Sequence, residues 1–262
     1  MSRRIYVCQT QEDLFEAAAQ IVVQAVSFRR EPDHLSSVAL SGGSTPQGLF
    51  ARLVAEPFRS QVDWSSIHVF WGDEREVPPD HADSNFRMAK EHLLDRVPIP
   101  MDQVFRMEGE CQAQDAADRY EDVLQRVFSL KNKEVVPRFD LILLGMGPDG
   151  HTASLFPETS VLRETTRWVA APWVEKLHTH RITLTPPVLN AAHHIVFVVS
   201  GLDKSLAVQA VLEGPSQPSQ FPAQLVNPVQ GEVIWLLDSE SASQLQQTSV
   251  TKWQREIGMA SG

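Results

Sequence analysis

The chain has 262 residues, of which 42% are hydrophobic and 21% charged, and a formal net charge of −10. This length suffices for one large α/β domain with a substantial core, and we predict that residues 1–262 form a single domain. The acidic balance disfavours a nucleic-acid partner, and no run approaches the ~18 apolar residues of a membrane span. The apolar stretch at residues 5–8 is too short for a secretion signal, so we predict a cytoplasmic protein without a membrane partner.

Strands and helices alternate in the first half of the chain. Short apolar runs predict strands, and apolar residues at helical spacing predict helices. The pair Thr10 and Asp13 is typical of the start of a helix. Strands are predicted at residues 5–8, 38–40 and 67–71, and helices at residues 11–30, 86–94 and 115–128.

The second half continues this alternation. Strands are predicted at residues 139–144, 168–172, 181–184, 195–199 and 233–237. A helical turn is predicted at 187–192, a helix is predicted to end at Leu212, and the Ser/Gln-rich tail has a possible helix through Trp253. Four prolines make residues 214–231 a loop. Because two-residue hairpin signals are missing, the pattern favours an α/β fold with a mainly parallel sheet and helices on both faces.

The stretch FDLILLGMGPDGHTASLFP, residues 139–157, is the most informative part of the chain. Its apolar run is typical of a strand buried on both faces, and two glycines and a proline then force a turn. Asp149 and His151 follow this turn, where open α/β sheets place their ligands. An imidazole beside a carboxylate is suited to general-base work at neutral pH. The alternative is a loop with a helix-capping Asp and a surface His.

The segment SGGSTPQ, residues 41–47, joins a predicted strand to a predicted helix. Glycines let backbone N–H groups converge on an anion, and the hydroxyls and the helix N-terminus add to this site. The segment lacks the lysine of a nucleotide-binding P-loop, which favours a small phosphorylated metabolite. Alternatively, it is a tight turn with Thr45 as the N-cap and Pro46 at the first helical position.

A third polar segment, GDEREVPPDHADSN at residues 72–85, also begins where a strand ends. Arg75 is a candidate clamp for a phosphate or carboxylate, whereas Glu74 and Glu76 are equally well explained as a solvated charge run. Residues 83–85 are equally well explained as the cap of the helix predicted to begin at Phe86. Two isolated cations near strand ends, Arg181 and Lys204, are candidates to complete an anion site.

The remaining reactive residue types argue against metal and covalent chemistry. Four histidines of the second half lack cysteine partners and the HExxH spacing, so no metal site is predicted; they are His178, His180, His193 and His194. No GxSxG motif makes a serine a nucleophile. The two cysteines are interpreted as reduced structural thiols, Cys8 and Cys111. No cofactor is predicted.

Together, the motifs SGGSTP, WGDEREVPPDHADSN and LLGMGPDGHTASLFP closely resemble those of the 6-phosphogluconolactonases, in order and spacing. The resemblance extends from about residue 5 to Asp238. It implies the three-layer α/β/α, Rossmann-like fold shared with glucosamine-6-phosphate deaminases, and hydrolysis of 6-phospho-D-glucono-1,5-lactone in the pentose phosphate pathway. The implied partner is therefore a small phosphorylated sugar lactone.

The resemblance also implies roles for single residues. His151 would activate water and Asp149 would orient it, while a second group of residues would bind the 6-phosphate, namely Gly43, Ser44, Thr45, Arg75 and Lys204. Weaker candidates for substrate contact are Gly42, Asp73 and Arg181.

Two alternative functions stay open at this point. The first is deamination or isomerisation of an amino-sugar phosphate, but that chemistry uses a Glu where this chain has Phe156. The second is phosphosugar sensing, which usually comes with a DNA-binding segment.

Overall fold

The computed structural model describes residues 2–27, 34–246 and 250–253, and the elements named below belong to these residues. The strands are β1 (Ser2–Cys8), β2 (Ser36–Leu40), β3 (Ile67–Trp71), β4 (Asp73–Arg75), β5 (Leu141–Leu144), β6 (Val169–Ala170), β7 (Trp173–Val174), β8 (Thr179–Leu184), β9 (His194–Val199), β10 (Glu232–Asp238) and β11 (Thr251–Lys252). The helices are α1 (Gln11–Ser27), α2 (Ser44–Leu53), α3 (Phe58–Gln61), α4 (Asn85–His92), α5 (Ala113–Val127), α6 (Pro186–Ala191) and α7 (Ser205–Leu212).

The described residues form a seven-stranded central sheet in the order β11-β1-β10-β9-β5-β2-β3. All its neighbouring strands are parallel, which confirms the predicted parallel sheet. The strand β5 lies in the interior of the sheet, between β9 and β2. Parallel strands end at the same edge, so the loops after β2, β3, β5 and β9 meet there.

Helices cover both faces of this sheet, which confirms the predicted three-layer α/β/α fold. Side chains along β5 alternate between two apolar clusters: Leu141 and Leu143 pack on one face, and Ile142 and Leu144 on the other. The first face is covered by α1, α2, α3 and α4, and the second by α5, α6 and α7. None of the helices in the described ranges combines the length and the apolar composition that a membrane span requires.

A smaller antiparallel sheet adjoins the central one, with strand order β4-β8-β6 and with β7 paired to β8. The strands predicted at 168–172 and 181–184 belong to this sheet rather than to the central sheet. The strand β4 was not predicted, because Asp73–Arg75 has a charged sequence that is atypical of strands. Its pairing with β8, a segment about a hundred residues away, decides its conformation.

Local predictions at helix ends and in the tail had mixed outcomes. Thr10 and Asp13 bond to each other reciprocally at the start of α1, as predicted; α1 is described to Ser27, and residues 28–30 lie outside the described range. The helix α2 begins at Ser44 with Gly43 as its N-cap, so the prediction of Thr45 as N-cap was wrong. The predicted helix through Trp253 was also wrong for the described tail, where residues 251–252 form β11 against β1.

Both cysteines are free thiols, in agreement with the prediction. Cys8 is buried at the end of β1, and burial raises the pKa of its thiol to about 12. The thiol is therefore protonated at neutral pH, which fits a structural role.

The carboxylate of Glu121 joins α5 to β6 and is 1% exposed. It accepts hydrogen bonds from Lys133, from Arg167 and from the backbone N–H groups of Trp168 and Val169. Removing it would leave buried donors without partners, so we expect Glu121→Ala to lower the free energy of unfolding by about 2–4 kcal/mol in urea denaturation. The exposed neighbour Asp122 provides the matched control. Asp122→Ala should change stability by less than about 0.5 kcal/mol, and equal losses in the two variants would contradict the structural role of the Glu121 carboxylate.

Candidate active site

A cavity of about 380 Å³ lies where the carboxyl ends of β2, β3, β5 and β9 meet. Its lining includes most of the predicted site residues, namely Gly42, Gly43, Ser44, Thr45, Asp73, Arg75, His151, Arg181 and Lys204. Asp149 lies behind His151, to which it is bonded. Residues from five separate stretches of sequence therefore converge on one cleft.

The loop after β5 holds His151 and Asp149 in a defined arrangement. The backbone closes on itself through hydrogen bonds from Gly147 N to His151 O (2.9 Å) and from Gly150 N to Gly147 O (3.0 Å). Gly150 has φ of 72°, a left-handed conformation that favours glycine. Within this turn, His151 Nδ1 lies 2.5 Å from Asp149 Oδ1. The two residues form a dyad at the end of a buried strand.

The environment of Asp149 keeps its carboxylate ionised at neutral pH. Burial acts to raise its pKa, but hydrogen bonds from His151 and Lys176 outweigh burial and hold the pKa well below its ordinary value. An ionised carboxylate accepts a hydrogen bond, so Nδ1 of neutral His151 carries the proton and donates it to Asp149. The lone pair of neutral His151 is then on Nε2.

Two further side chains complete the surroundings of the dyad. Lys176 forms an ion pair with Asp149 Oδ2 and lines the cavity. The ring of Phe156 stacks on the imidazole of His151, with 4.1 Å between the centroids and 26° between the planes. The ammonium of Lys176 lies 4.6 Å from the centroid of the same phenyl ring.

The turn after β2 combines glycine conformation with close packing. Gly43 has φ of 103° and precedes the first turn of α2, whose residues Ser44 and Thr45 line the cavity. A Cβ on Gly42 would lie 1.7 Å from Asn85 Oδ1, so a side chain at this position would displace Asn85. Both glycines are thus required by the geometry of the turn. The helix end contributes a partial positive charge to the cavity.

Basic side chains approach the cavity from two other directions. Arg75 on β4 and Arg181 on β8 are directly paired in the antiparallel register, and Lys204 follows β9. Burial and, next, the charge of Arg75 lower the pKa of Arg181, although the group stays a cation at neutral pH. Arg75 donates to the carbonyl of Asp83, while Lys204 pairs with the exposed carboxylate of Asp203. This concentration of positive charge suits an anionic ligand within an acidic protein.

The sequence left open whether Glu74 belongs to a solvated charge run, and the structure shows that it does not. Glu74 is 2% exposed and accepts hydrogen bonds from the backbone N–H groups of Arg75, Asn85 and Phe86. Burial raises the pKa of Glu74, and these three N–H groups oppose that rise. Glu76 is half-buried and accepts a hydrogen bond from Ala113 N (3.2 Å), so it is not a free surface charge either. Glu74 therefore ties residues 84–86 to β4 beside the cavity.

Residues 83–85 cap α4 as predicted, because the Ser84 hydroxyl accepts from Arg87 N (3.1 Å). Asn85 also reaches the cavity, where its side-chain amide donates to Asp73 O (2.9 Å). Asp73 in turn accepts from the hydroxyl of Ser154 (2.7 Å). Sequence reasoning missed Asn85, Ser154 and Lys176 as cavity residues; the DSN and HTAS segments contained the first two, whereas Lys176 carried no motif signal.

Within the described ranges, no group of three or more His, Cys, Asp or Glu side chains is arranged to hold a metal ion. The cavity lining offers an imidazole, cationic side chains and a glycine-rich turn.

Comparison with known proteins defines the class to which this fold and cavity belong. The sequence model of the family "Glucosamine-6-phosphate isomerases/6-phosphogluconolactonase" matches residues 9–235. The chain therefore belongs to this enzyme family.

Within the family, the chain is similar to proteins named 6-phosphogluconolactonase. One from Synechocystis is 38% identical over 94% of this chain and 99% of its own length. A solved structure of 6-phosphogluconolactonase from Trypanosoma cruzi superposes with a TM-score of 0.83, at 30% identity, over 94% of this chain and 98% of that one. A monomeric glucosamine-6-phosphate deaminase superposes with a TM-score of 0.76 at 22% identity over 92% of this chain and 99% of that one, which shows a shared fold.

Proposed function

We propose that the chain hydrolyses 6-phospho-D-glucono-1,5-lactone to 6-phospho-D-gluconate. The observation that carries the proposal is that one cavity is lined both by His151 and by the turn at Gly43–Thr45. A base and an anion-binding turn in one cleft of about 380 Å³ suit a small substrate with a phosphate at one end and a reactive carbonyl at the other. The similarity to lactonases supports the same reaction.

In this proposal, neutral His151 acts as the general base. Its Nε2 takes a proton from a water molecule while the water oxygen attacks C1 of the lactone. The tetrahedral intermediate then collapses by breaking the bond between C1 and the ring oxygen, and the imidazolium returns the proton to that oxygen. Asp149 holds the imidazole through Nδ1 and stabilises the imidazolium. One water is consumed, and one carboxylic acid and one hydroxyl are formed.

The phosphate is bound at the other end of the cavity. The backbone N–H groups at Gly43, Ser44 and Thr45 and the start of α2 supply donors, and Arg75 and Lys204 supply charge. Arg181, Gly42 and Asp73 are further candidates for substrate contact because they share the cavity lining. Binding at the phosphate end fixes the lactone carbonyl near His151, which lowers the entropic cost of the attack.

The identity of residue 156 supports a lactonase rather than an amino-sugar isomerase. A phenyl ring stacked on His151 cannot exchange a proton. A lactone needs no ring opening before water attacks, so hydrolysis requires no proton-transfer group at residue 156. Deamination, in contrast, would lack a proton-transfer group here.

The direct test is acid production from freshly prepared 6-phosphogluconolactone. We expect the purified chain to accelerate it well above spontaneous hydrolysis, followed with a pH indicator, and to release no ammonia from glucosamine 6-phosphate. Heat-inactivated protein at the same concentration is the control. A rate equal to the spontaneous rate would refute the proposed function, and ammonia release without lactone hydrolysis would replace it with deamination.

A further inference from the structure

We propose that Lys176 is a positioning residue that balances the charge of Asp149, so that His151 stays a neutral base at the pH where the enzyme works. The inference rests on the proposed function, since it assigns His151 the role of general base. The proposal is carried by the contacts that bring Lys176, Asp149, Phe156 and His151 together.

The carboxylate of Asp149 is shared between two partners. Its Oδ1 atom accepts from His151 Nδ1, and its Oδ2 atom accepts from the Lys176 ammonium. Lys176 belongs to a short 3₁₀ helix, Glu175–Leu177, which connects β7 to β8. The connection between β7 and β8 therefore supplies the cation that pairs with Asp149, and the loop after β5 supplies both Asp149 and His151.

Phe156 fixes the same arrangement from another side. Its ring stacks on the imidazole of His151 and also contacts the Lys176 ammonium through a cation–π interaction. Two contacts therefore restrain the head group of Lys176, although its side chain is 51% exposed. These contacts keep the positive charge of Lys176 close to Asp149 and His151.

The charge of Lys176 has a defined consequence for the base. A carboxylate hydrogen-bonded to an imidazole favours the imidazolium, which has no lone pair with which to accept a proton. A cation on the other oxygen of that carboxylate opposes this effect, and it does so without breaking the bond that orients the ring. Removing the cation should therefore leave His151 protonated at a higher pH.

Other charged groups line the same cavity, and they would still act on His151 after Lys176 is replaced. Asp73 and Arg75 approach from β4, Arg181 from β8, and Lys204 from the segment after β9. Arg75 and Lys204 belong to the proposed phosphate end, Arg181 is a further candidate for substrate contact, and Asp73 is the acidic group of this set. Among the described residues, Lys176 is the cation bonded to Asp149, so its removal changes the dyad most directly.

The test is a proton NMR titration of His151 in the ligand-free protein, with its ring signals assigned by their loss in His151→Ala. Lys176→Met should move the midpoint of this titration up by about 0.5–1 pH unit, the shift expected for one charge beside a partly exposed site. Lys176→Gln should do the same, and Lys176→Arg should return the midpoint toward that of the unsubstituted chain. The shift should shrink in about 1 M salt, where the Debye length is about 3 Å.

Lys90 provides the matched control, because it is also a half-exposed lysine in an ion pair, with Asp95, and it does not line the cavity. Lys90→Met should leave the His151 midpoint unchanged. In steady-state assays, the acid limb of kcat/KM should move up with the NMR midpoint in Lys176→Met, while its plateau at high pH is nearly retained.

Two results would overturn the proposal: an unchanged or lowered His151 midpoint in both neutral variants, or a loss of kcat/KM of equal size at every pH. The second result would make Lys176 a substrate contact instead. The NMR titration needs no substrate, so its outcome is independent of whether the chain hydrolyses the lactone. A chain without lactonase activity but with the expected shift would refute the proposed function and keep the electrostatic role of Lys176.

Discussion

Replacing His151 with Ala should lower kcat for 6-phosphogluconolactone by about 10²–10⁴-fold, the usual contribution of a general base. The physical reason is that no other described side chain bonded to Asp149 can accept a proton at neutral pH; Lys176, its other partner, is a cation. Binding of the product should change little, because the phosphate end of the cavity remains intact. Steady-state kinetics corrected for spontaneous hydrolysis, together with calorimetric binding of 6-phosphogluconate, measure the two effects separately.

The control for His151 is His180, a half-buried histidine on β8 that packs against Trp173 and bonds to Ala171 O. His180→Ala should keep kcat within a few-fold of the unsubstituted chain. Because Asp149 acts through the imidazole, the double variant with Asp149→Asn should be no slower than His151→Ala alone. An unchanged kcat in His151→Ala would remove the imidazole from the mechanism.

The architecture could be predicted from the sequence because its signals are local. Buried parallel strands have apolar runs, as at Leu141–Leu144, and amphipathic helices such as α1 and α5 have apolar stripes at helical spacing. Glycine turns and polar residues at strand ends also mark the ligand edge of an open sheet. For these reasons the sequence predicted both the layered fold and the clustering of the three polar segments.

The features that the sequence did not reveal depend on contacts between distant segments. In the sequence, Glu74 has the character of a surface charge. The backbone N–H groups that stabilise its buried carboxylate come from Asn85 and Phe86, which pack over β4. Lys176 lies 27 residues from Asp149, in a stretch without a strand or motif signal. Their positions follow from the pairing of β4 with β8, which periodicity does not encode.

The start of α2 shows why single-residue predictions fail at helix ends. Ser, Thr and Gly are all acceptable N-caps, so propensity favoured Thr45 with Pro46 after it. In the structure the cap is Gly43, because the chain needs a positive φ one residue before the helix and Asn85 fills the space beside Gly42. Packing by a segment about forty residues away therefore sets the N-terminus that is proposed to bind phosphate.

The phosphate end of the cavity leads to the second large expected effect. Arg75→Ala should raise KM for the phosphorylated lactone about 10–100-fold, since a charge-assisted hydrogen bond to an anion contributes about 1.5–3 kcal/mol. Its kcat should change only a few-fold, because Arg75 is assigned to binding and not to proton transfer. Steady-state kinetics with the lactone and calorimetry with 6-phosphogluconate measure this loss.

The comparison substrate is an unphosphorylated gluconolactone, for which kcat/KM should be nearly the same in Arg75→Ala and in the unsubstituted chain. Arg87 provides the matched control, because it lies on the neighbouring helix α4 and pairs with the exposed Glu91. Arg87→Ala should leave KM for both substrates unchanged. Equal losses for the two lactones in Arg75→Ala would mean that this guanidinium supports the structure of the cavity rather than the phosphate. The phosphate contacts would then be assigned to Lys204 and Arg181 alone.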